Sequence, residues 1–176
     1  MRRILNAGPV GMVAAAMALS AALVAPLSAQ VDRYVRPANP LAASPYASWE
    51  TAATSILDAV AVANANNAGD TVWISNGVYA LTNTVTVQNT AVRGFGGDRG
   101  AVIVNGGGTL RCFWLSHAGA LLADLTVSNG NSGGYGGGAY VPIGTVSNCV
   151  VTKSQGNWGG RHLSLKRAGG GLPDHL

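Results

Sequence analysis

An all-β solenoid of stacked parallel strands, covered at its N-terminal end by one α-helix, is the fold class that this sequence of 176 residues predicts. Three observations carry that expectation. Past Asp70 the chain becomes a series of short runs rich in Val, Ile, Leu and Thr, separated by Gly and Asn, which is how strands of a few residues joined by tight turns read. The runs also recur. Leu125-Thr126-Val127-Ser128 and Cys149-Val150-Val151-Thr152 lie 24 residues apart (149 − 125), and Tyr135-Gly136-Gly137 and Trp158-Gly159-Gly160 lie 23 apart (158 − 135). A period of that length built from strands and turns belongs to a solenoid, in which each coil buries its inward side chains against the next. Lastly, the stretch before the first strands has helical spacing, and an apolar helix face suits the exposed core and unpaired edge of a solenoid end.

The elements follow in order. Residues 1–29 place Arg2 and Arg3 before an apolar run from Val10 to Leu27 that ends in Leu27-Ser28-Ala29, the layout of a secretory signal peptide cleaved after Ala29. The mildly apolar Ala-Ser-Gly composition favours cleavage over an uncleaved membrane anchor, so no membrane-spanning segment is expected afterwards. Removing it leaves 147 residues with nine basic and seven acidic side chains, and the net charge falls from +4 to +2. No Lys/Arg run interleaved with aromatics remains, which excludes a nucleic-acid surface.

Residues 30–48 form a lead-in segment broken by Pro37, Pro40 and Pro45, with a short strand expected at Arg33 to Arg36. Residues 49–69 are expected as the capping helix: Trp49, Ala52, Ala53, Ile56, Val60 and Ala63 fall at helical spacing, Ser48 stands ready to cap the start and Gly69 to end it. Residues 70–160 hold the coils, with strands expected in 71–75, 83–87, 90–95, 101–104, 109–115, 121–128, 137–141 and 145–152. Cys112 and Cys149 each lie in a strand-like run and read as free buried thiols, since Cys packs as a small hydrophobe.

The pattern stops at residues 161–176. Permitted codons for Arg161-His162-Leu163-Ser164-Leu165, read one base out of frame, give Gly-Thr-Tyr-Leu, which would continue Gly159-Gly160 as the preceding coil does at Gly136 to Val141. The same frame permits a Cys across Leu172 and Pro173, one repeat after Cys149. The expectation is an irregular tail translated out of the ancestral frame, weighed against a genuinely divergent terminus. On that reading the solenoid is truncated, and its open C-terminal edge is available for self-association.

The segments at 69–81, 92–108, 121–140 and 145–151 together resemble the right-handed parallel β-helix of pectin-lyase-like secreted proteins, and most nearly bacterial surface proteins of the polymorphic outer-membrane type. The resemblance spans about Tyr34 to Gly160. It implies export to the extracellular space or the outer-membrane surface, and two functional readings: a non-catalytic passenger that presents an adhesive or glycan-contacting surface, or the N-terminal part of a polysaccharide lyase or glycoside hydrolase. One scaffold hosts both.

The residues speak against catalysis within this chain. Lyases of the family hold Ca²⁺ with several carboxylates, and hard cations require clustered oxygen ligands. Here Asp32, Glu50, Asp58, Asp70, Asp98, Asp124 and Asp174 are well separated, and the position one repeat after Asp124 is Asn148. No local acid pair stands out for hydrolysis. No cofactor, metal site or catalytic residue is therefore expected. The glycine-rich run at 94–100 lacks the Lys and helix start of a phosphate loop and reads as a turn, within which Asp98 and Arg99 are the candidate ligand-contact pair. His117 reads as a turn residue. Asn129, Asn131 and Asn148 suit turns between coils, because Asn tolerates the left-handed backbone. Trp73, Tyr79, Trp114, Tyr135 and Trp158 would stack on sugar rings where they face outward, and strand alternation sends about half of such positions inward. Polysaccharide or cell-surface glycan is the expected partner.

Overall fold

The computed structural model describes residues 28–158. The leader expected at 1–29 lies outside them except for residues 28 and 29, as do residues 159–176, which include the end of the expected coil region and the tail. In chain order the elements begin with β1 (Asp32–Val35), α1 (Ile56–Asn66), β2 (Thr71–Ile74), β3 (Gly77–Ala80) and β4 (Val85–Val87). They continue with β5 (Ala91–Gly94), β6 (Val102–Asn105), β7 (Phe113–Leu115), β8 (Leu121–Ala123) and β9 (Thr126–Ser128). β10 (Asn131–Tyr135), β11 (Ala139–Tyr140), β12 (Thr145–Ser147), β13 (Val150–Thr152) and β14 (Gln155–Trp158) complete them.

The described chain is mostly β, with parallel strands in stacked sheets and one short helix, an arrangement compatible with a parallel β-helix. The chain visits the sheets in turn. The first sheet has the order β1-β2-β5-β8-β12, the second β3-β6-β9-β13, the third β4-β7-β11, and β10 pairs with β14. Every pairing between these strands is parallel. Register columns build the core. Val72, Val92, Leu122 and Val146 align in the first sheet, Tyr79, Val104 and Val127 in the second, and Val85, Phe113 and Ala139 in the third, all buried. Each fully buried Val or Leu in such a column contributes about 1.5–3 kcal/mol of transfer free energy.

Two runs expected as single strands are bent pairs. Residues 121–128 break between β8 and β9 at Asp124, and residues 145–152 break between β12 and β13 at Asn148, with φ of 60° and 46°. The side chains stack, Asn148 Nδ2 donating to Asp124 Oδ1 at 2.9 Å. Gly94 makes the turn possible from the neighbouring strand, because a Cβ there would run into the Asp124 carbonyl oxygen. Three strands were not expected from the sequence: β3, β10 and β14.

The helix is shorter than the expected 49–69. It starts after Ser55 and ends at Asn67, whose left-handed φ of 50° takes the place expected for Gly69. Residues 49–55 are diverted because β1 claims their backbone: Ala53 N donates to the Tyr34 carbonyl and Arg36 N to the Ala53 carbonyl, both at 2.9 Å. A backbone group engaged there cannot also serve a helix. Ser48 bonds to Thr51 instead of capping a helix. α1 buries Ile56, Ala59, Val60 and Ala63 and lies against β1, β2 and β4. Beside it, Asp70 is wholly buried and accepts from Arg33 Nη2 at 2.9 Å and Nε at 3.0 Å, and also from Val31 N and Asn66 Nδ2.

Candidate functional site

The outer face of the third sheet carries an open aromatic surface. In β7 the pleat sends Phe113 and Leu115 into the core, so Trp114 between them points outward and is 41% exposed. Parallel register sets Tyr140 of β11 beside Trp114, and Thr86 of β4 on its other side. The Trp114 and Tyr140 ring centres lie 6.5 Å apart. Tyr135, at the end of β10, stacks on Tyr140 with centroids 6.1 Å apart and planes 22° from parallel, and is 53% exposed.

Arg111 completes the group. Its guanidinium lies 5.0 Å from the Tyr140 ring centroid, held by hydrogen bonds from Nη2 to the Tyr135 carbonyl at 2.9 Å and from Nε to the Gly136 carbonyl at 3.2 Å. Cation–π attraction adds to those bonds. Gly136 is required in that turn: its φ is 56°, and a Cβ would meet the Ala139 carbonyl. The result is a platform of outward rings with a fixed cation at its edge. Flat apolar ring faces beside a hydrogen-bond donor match the alternating C–H faces and hydroxyl groups of a sugar.

Of the aromatic residues expected to stack on sugars, Trp114 and Tyr135 are in this platform. Trp158 is in backbone register with Tyr135. Tyr79 is buried, its hydroxyl donating to the Ser75 carbonyl, and desolvation raises its pKa despite the Ser75 hydrogen bond. Trp73 is half-buried in a second group on the outside of the first sheet, where Phe95 packs edge-on against Trp73 at 6.1 Å and Trp49 at 5.1 Å, and Trp49 meets Tyr34 at 4.7 Å. Tyr140 and Arg111 were missed by the sequence reading. The signal that would have found Tyr140 is the alternation of Phe113-Trp114-Leu115 carried one coil onward.

Asp98 and Arg99 lie on the exposed connection between β5 and β6, apart from the platform residues. Asp98 Oδ1 accepts from Gly100 N at 2.8 Å, Arg99 Nη1 donates to Asn148 Oδ1 at 3.3 Å, and Thr126 Oγ1 donates to the Arg99 carbonyl at 2.7 Å. Arg93 adds a 3.5 Å ion pair to Asp124. The loop is thus anchored over the Asp124–Asn148 turn, with both charged groups accessible. His117 makes a turn contact, its Nδ1 accepting from Gly119 N at 2.9 Å. Asn129 has a left-handed φ of 52° and donates to Asn105 Oδ1, whereas Asn131 opens β10 and donates to the Gly108 carbonyl.

Both cysteines are free, Cys112 buried and Cys149 half-buried. Burial pushes each thiol up to about 11, and the Asp124 charge adds to the effect at Cys149. Among the described residues no three His, Cys, Asp or Glu side chains gather into a metal-binding group. No helix among them is long and apolar enough to cross a membrane. Comparison of the chain with protein-family models, with curated proteins and with solved structures finds no match.

Proposed function

We propose that this chain is an exported, non-catalytic module that contacts glycans, built as a right-handed parallel β-helix similar to the pectin-lyase-like secreted proteins and nearest to surface proteins of the polymorphic outer-membrane type. On this reading the leader at 1–29 is removed, α1 caps the first coil, and the stacked strands present their outer faces at the cell surface. The observation that carries it is the outward platform of Trp114, Tyr140, Tyr135 and Arg111, in which Trp114 and Tyr135 are exposed and Tyr140 joins them on the outer side. Asp98 and Arg99 offer a second polar contact on a separate loop.

The test is affinity electrophoresis of the full chain through gels containing neutral or acidic polysaccharides. At least one polysaccharide should retard it, and Trp114→Ala and Tyr140→Ala should each weaken the retardation by about fivefold or more, roughly 1 kcal/mol per ring. Equal migration of the wild-type protein in every gel would overturn the reading. Release of reducing or unsaturated ends from any polysaccharide would favour a lyase or hydrolase instead.

A further inference from the structure

The sheets differ in how their N-terminal edges are finished. In the first, β1 lies beyond β2, and its own outer edge is taken up by Tyr46 and Ala53: Tyr34 N donates to the Tyr46 carbonyl and Ala53 N to the Tyr34 carbonyl. In the third, the edge of β4 is finished by one side chain of α1. Asn64 Nδ2 donates to the Thr86 carbonyl at 2.8 Å and its Oδ1 accepts from Gln88 N at 3.1 Å, so its amide stands in for a strand residue.

The second sheet has no such finish among the described residues. Gly77 N and Leu81 N donate to the Ala101 and Asn105 carbonyls on the β6 side. Because alternate residues of a parallel strand direct both backbone groups the same way, Val78 and Ala80 present theirs to the opposite edge. Neither residue's backbone has a partner there among the described residues, and Val78 is 64% exposed. Directly against this edge lies a groove of about 520 Å³, walled by Pro37 and Ala38, by the start of α1 with Leu57 and Asp58, and by β3 onward to Thr82. It shares no residue with the aromatic platform.

We propose that the β3 edge and this groove bind an extended peptide segment of another protein, which adds as a parallel strand to the second sheet. The spacing defines the bound residue. The residue opposite Tyr79 would donate its N–H to the Val78 carbonyl and accept from Ala80 N–H, the pairing that joins each strand in the stack to the next. Its side chain points inward, where Leu57, Tyr79 and Leu81 favour an apolar group. The residues on either side of it point outward. Asp58 is the charged side chain on the groove wall, and favours a basic residue in the peptide.

The probe is a fluorescein-labelled peptide of sequence Lys-Thr-Val-Thr-Lys, acetylated and amidated, titrated by anisotropy against the full chain. Binding is expected, together with slowed amide hydrogen exchange at Val78 and Ala80. Methylating the central Val nitrogen removes the donor to Val78, and should weaken binding by about fivefold or more. Ala80→Pro removes the other bond without touching the β6 ladder and should do the same, with an unchanged thermal transition. If that variant fails to fold, the methylated peptide and the exchange rates still decide. No binding, or equal binding of the methylated peptide, overturns the proposal. So does strong protection of Val78 and Ala80 in the free chain, which would place a segment of the chain itself or a second copy on that edge; sedimentation separates those two.

Discussion

Two aromatic groups sit on the outside of the same stack and have different fates. On the first sheet, Tyr34, Trp49, Trp73 and Phe95 form a chain of edge and tilted contacts, drawn from β1, the segment before α1, β2 and the loop after β5. On the third sheet, Trp114, Tyr140 and Tyr135 lie open beside Arg111. Residue type does not separate them. Long connections do: the segment 36–54 folds back over the first sheet, fixed by Asn39, whose Nδ2 donates to the Glu50 and Ala52 carbonyls, while nothing described crosses the third. The first group therefore works mainly for stability, three of its rings being half-buried although Phe95 stays 51% exposed, whereas in the second Trp114 is 41% exposed on the outer side of its strand.

That contrast can be broken from the side of the first group. Ile56→Asp sets an unpaired carboxylate between α1 and the first strands and should cost more than about 4 kcal/mol, read as loss of the cooperative thermal transition or as aggregation. An unchanged transition would show that α1 is a surface ornament. Next in size, Asp70→Ala strands the buried Arg33 guanidinium and should cost about 3–5 kcal/mol in urea unfolding, because breaking a buried pair leaves an uncompensated charge. Both changes loosen the end of the stack on which Tyr34 and Trp49 rest.

The comparison is sharpened by matched truncations. Trp73→Ala should lower stability by about 2–3 kcal/mol, since the half-buried ring packs against Phe95. Trp114→Ala should stay within about 0.5 kcal/mol of wild type by the same measurement, as exposed positions do. Equal losses would erase the distinction between the two faces. A separate effect is one of pH. Cys112 and Cys149 have folded pKa values raised to about 11 from 9.0, so the folded chain holds those protons more tightly than the unfolded one. Their neutral thiols cost nothing below pH 9.0; stability should fall as pH rises from there towards about 11, and Cys112→Ala together with Cys149→Ala should flatten that slope.

Much of the strand pattern was legible because inward columns demand alternation: Val85-Thr86-Val87 and Phe113-Trp114-Leu115 announce both strand and face. β10 was not, since Asn131-Ser132-Gly133-Gly134-Tyr135 has turn composition, and its strand form rests on pairing with β14 that local propensity does not encode. The helix start was misread for a related reason. Ala52 and Ala53 are buried at helical spacing, but Ala53 is bonded to β1 and Ala52 to Asn39, partners that spacing cannot reveal. For the platform, Trp114 and Tyr135 stood out as residues, and only the register between β7 and β11 brought Tyr140 to them. Arg111 needed the carbonyls of a turn in the next coil, which no motif announces.

The register columns also bear on how such a chain can change. Thr71, Ala91, Leu121 and Thr145 occupy one column although the three intervals between them differ in length, the surplus emerging as loops such as the one bearing Asp98 and Arg99. A coil therefore fixes where its strands lie and leaves open how much chain it spends between them. Inserted residues at 96–100 would lengthen a surface loop at small entropic cost, whereas a single residue added between Ala91 and Val92 would turn Val92 out of the core and break its register with Val72 and Leu122. The stack can thus acquire new surfaces one loop at a time while its interior stays unaltered.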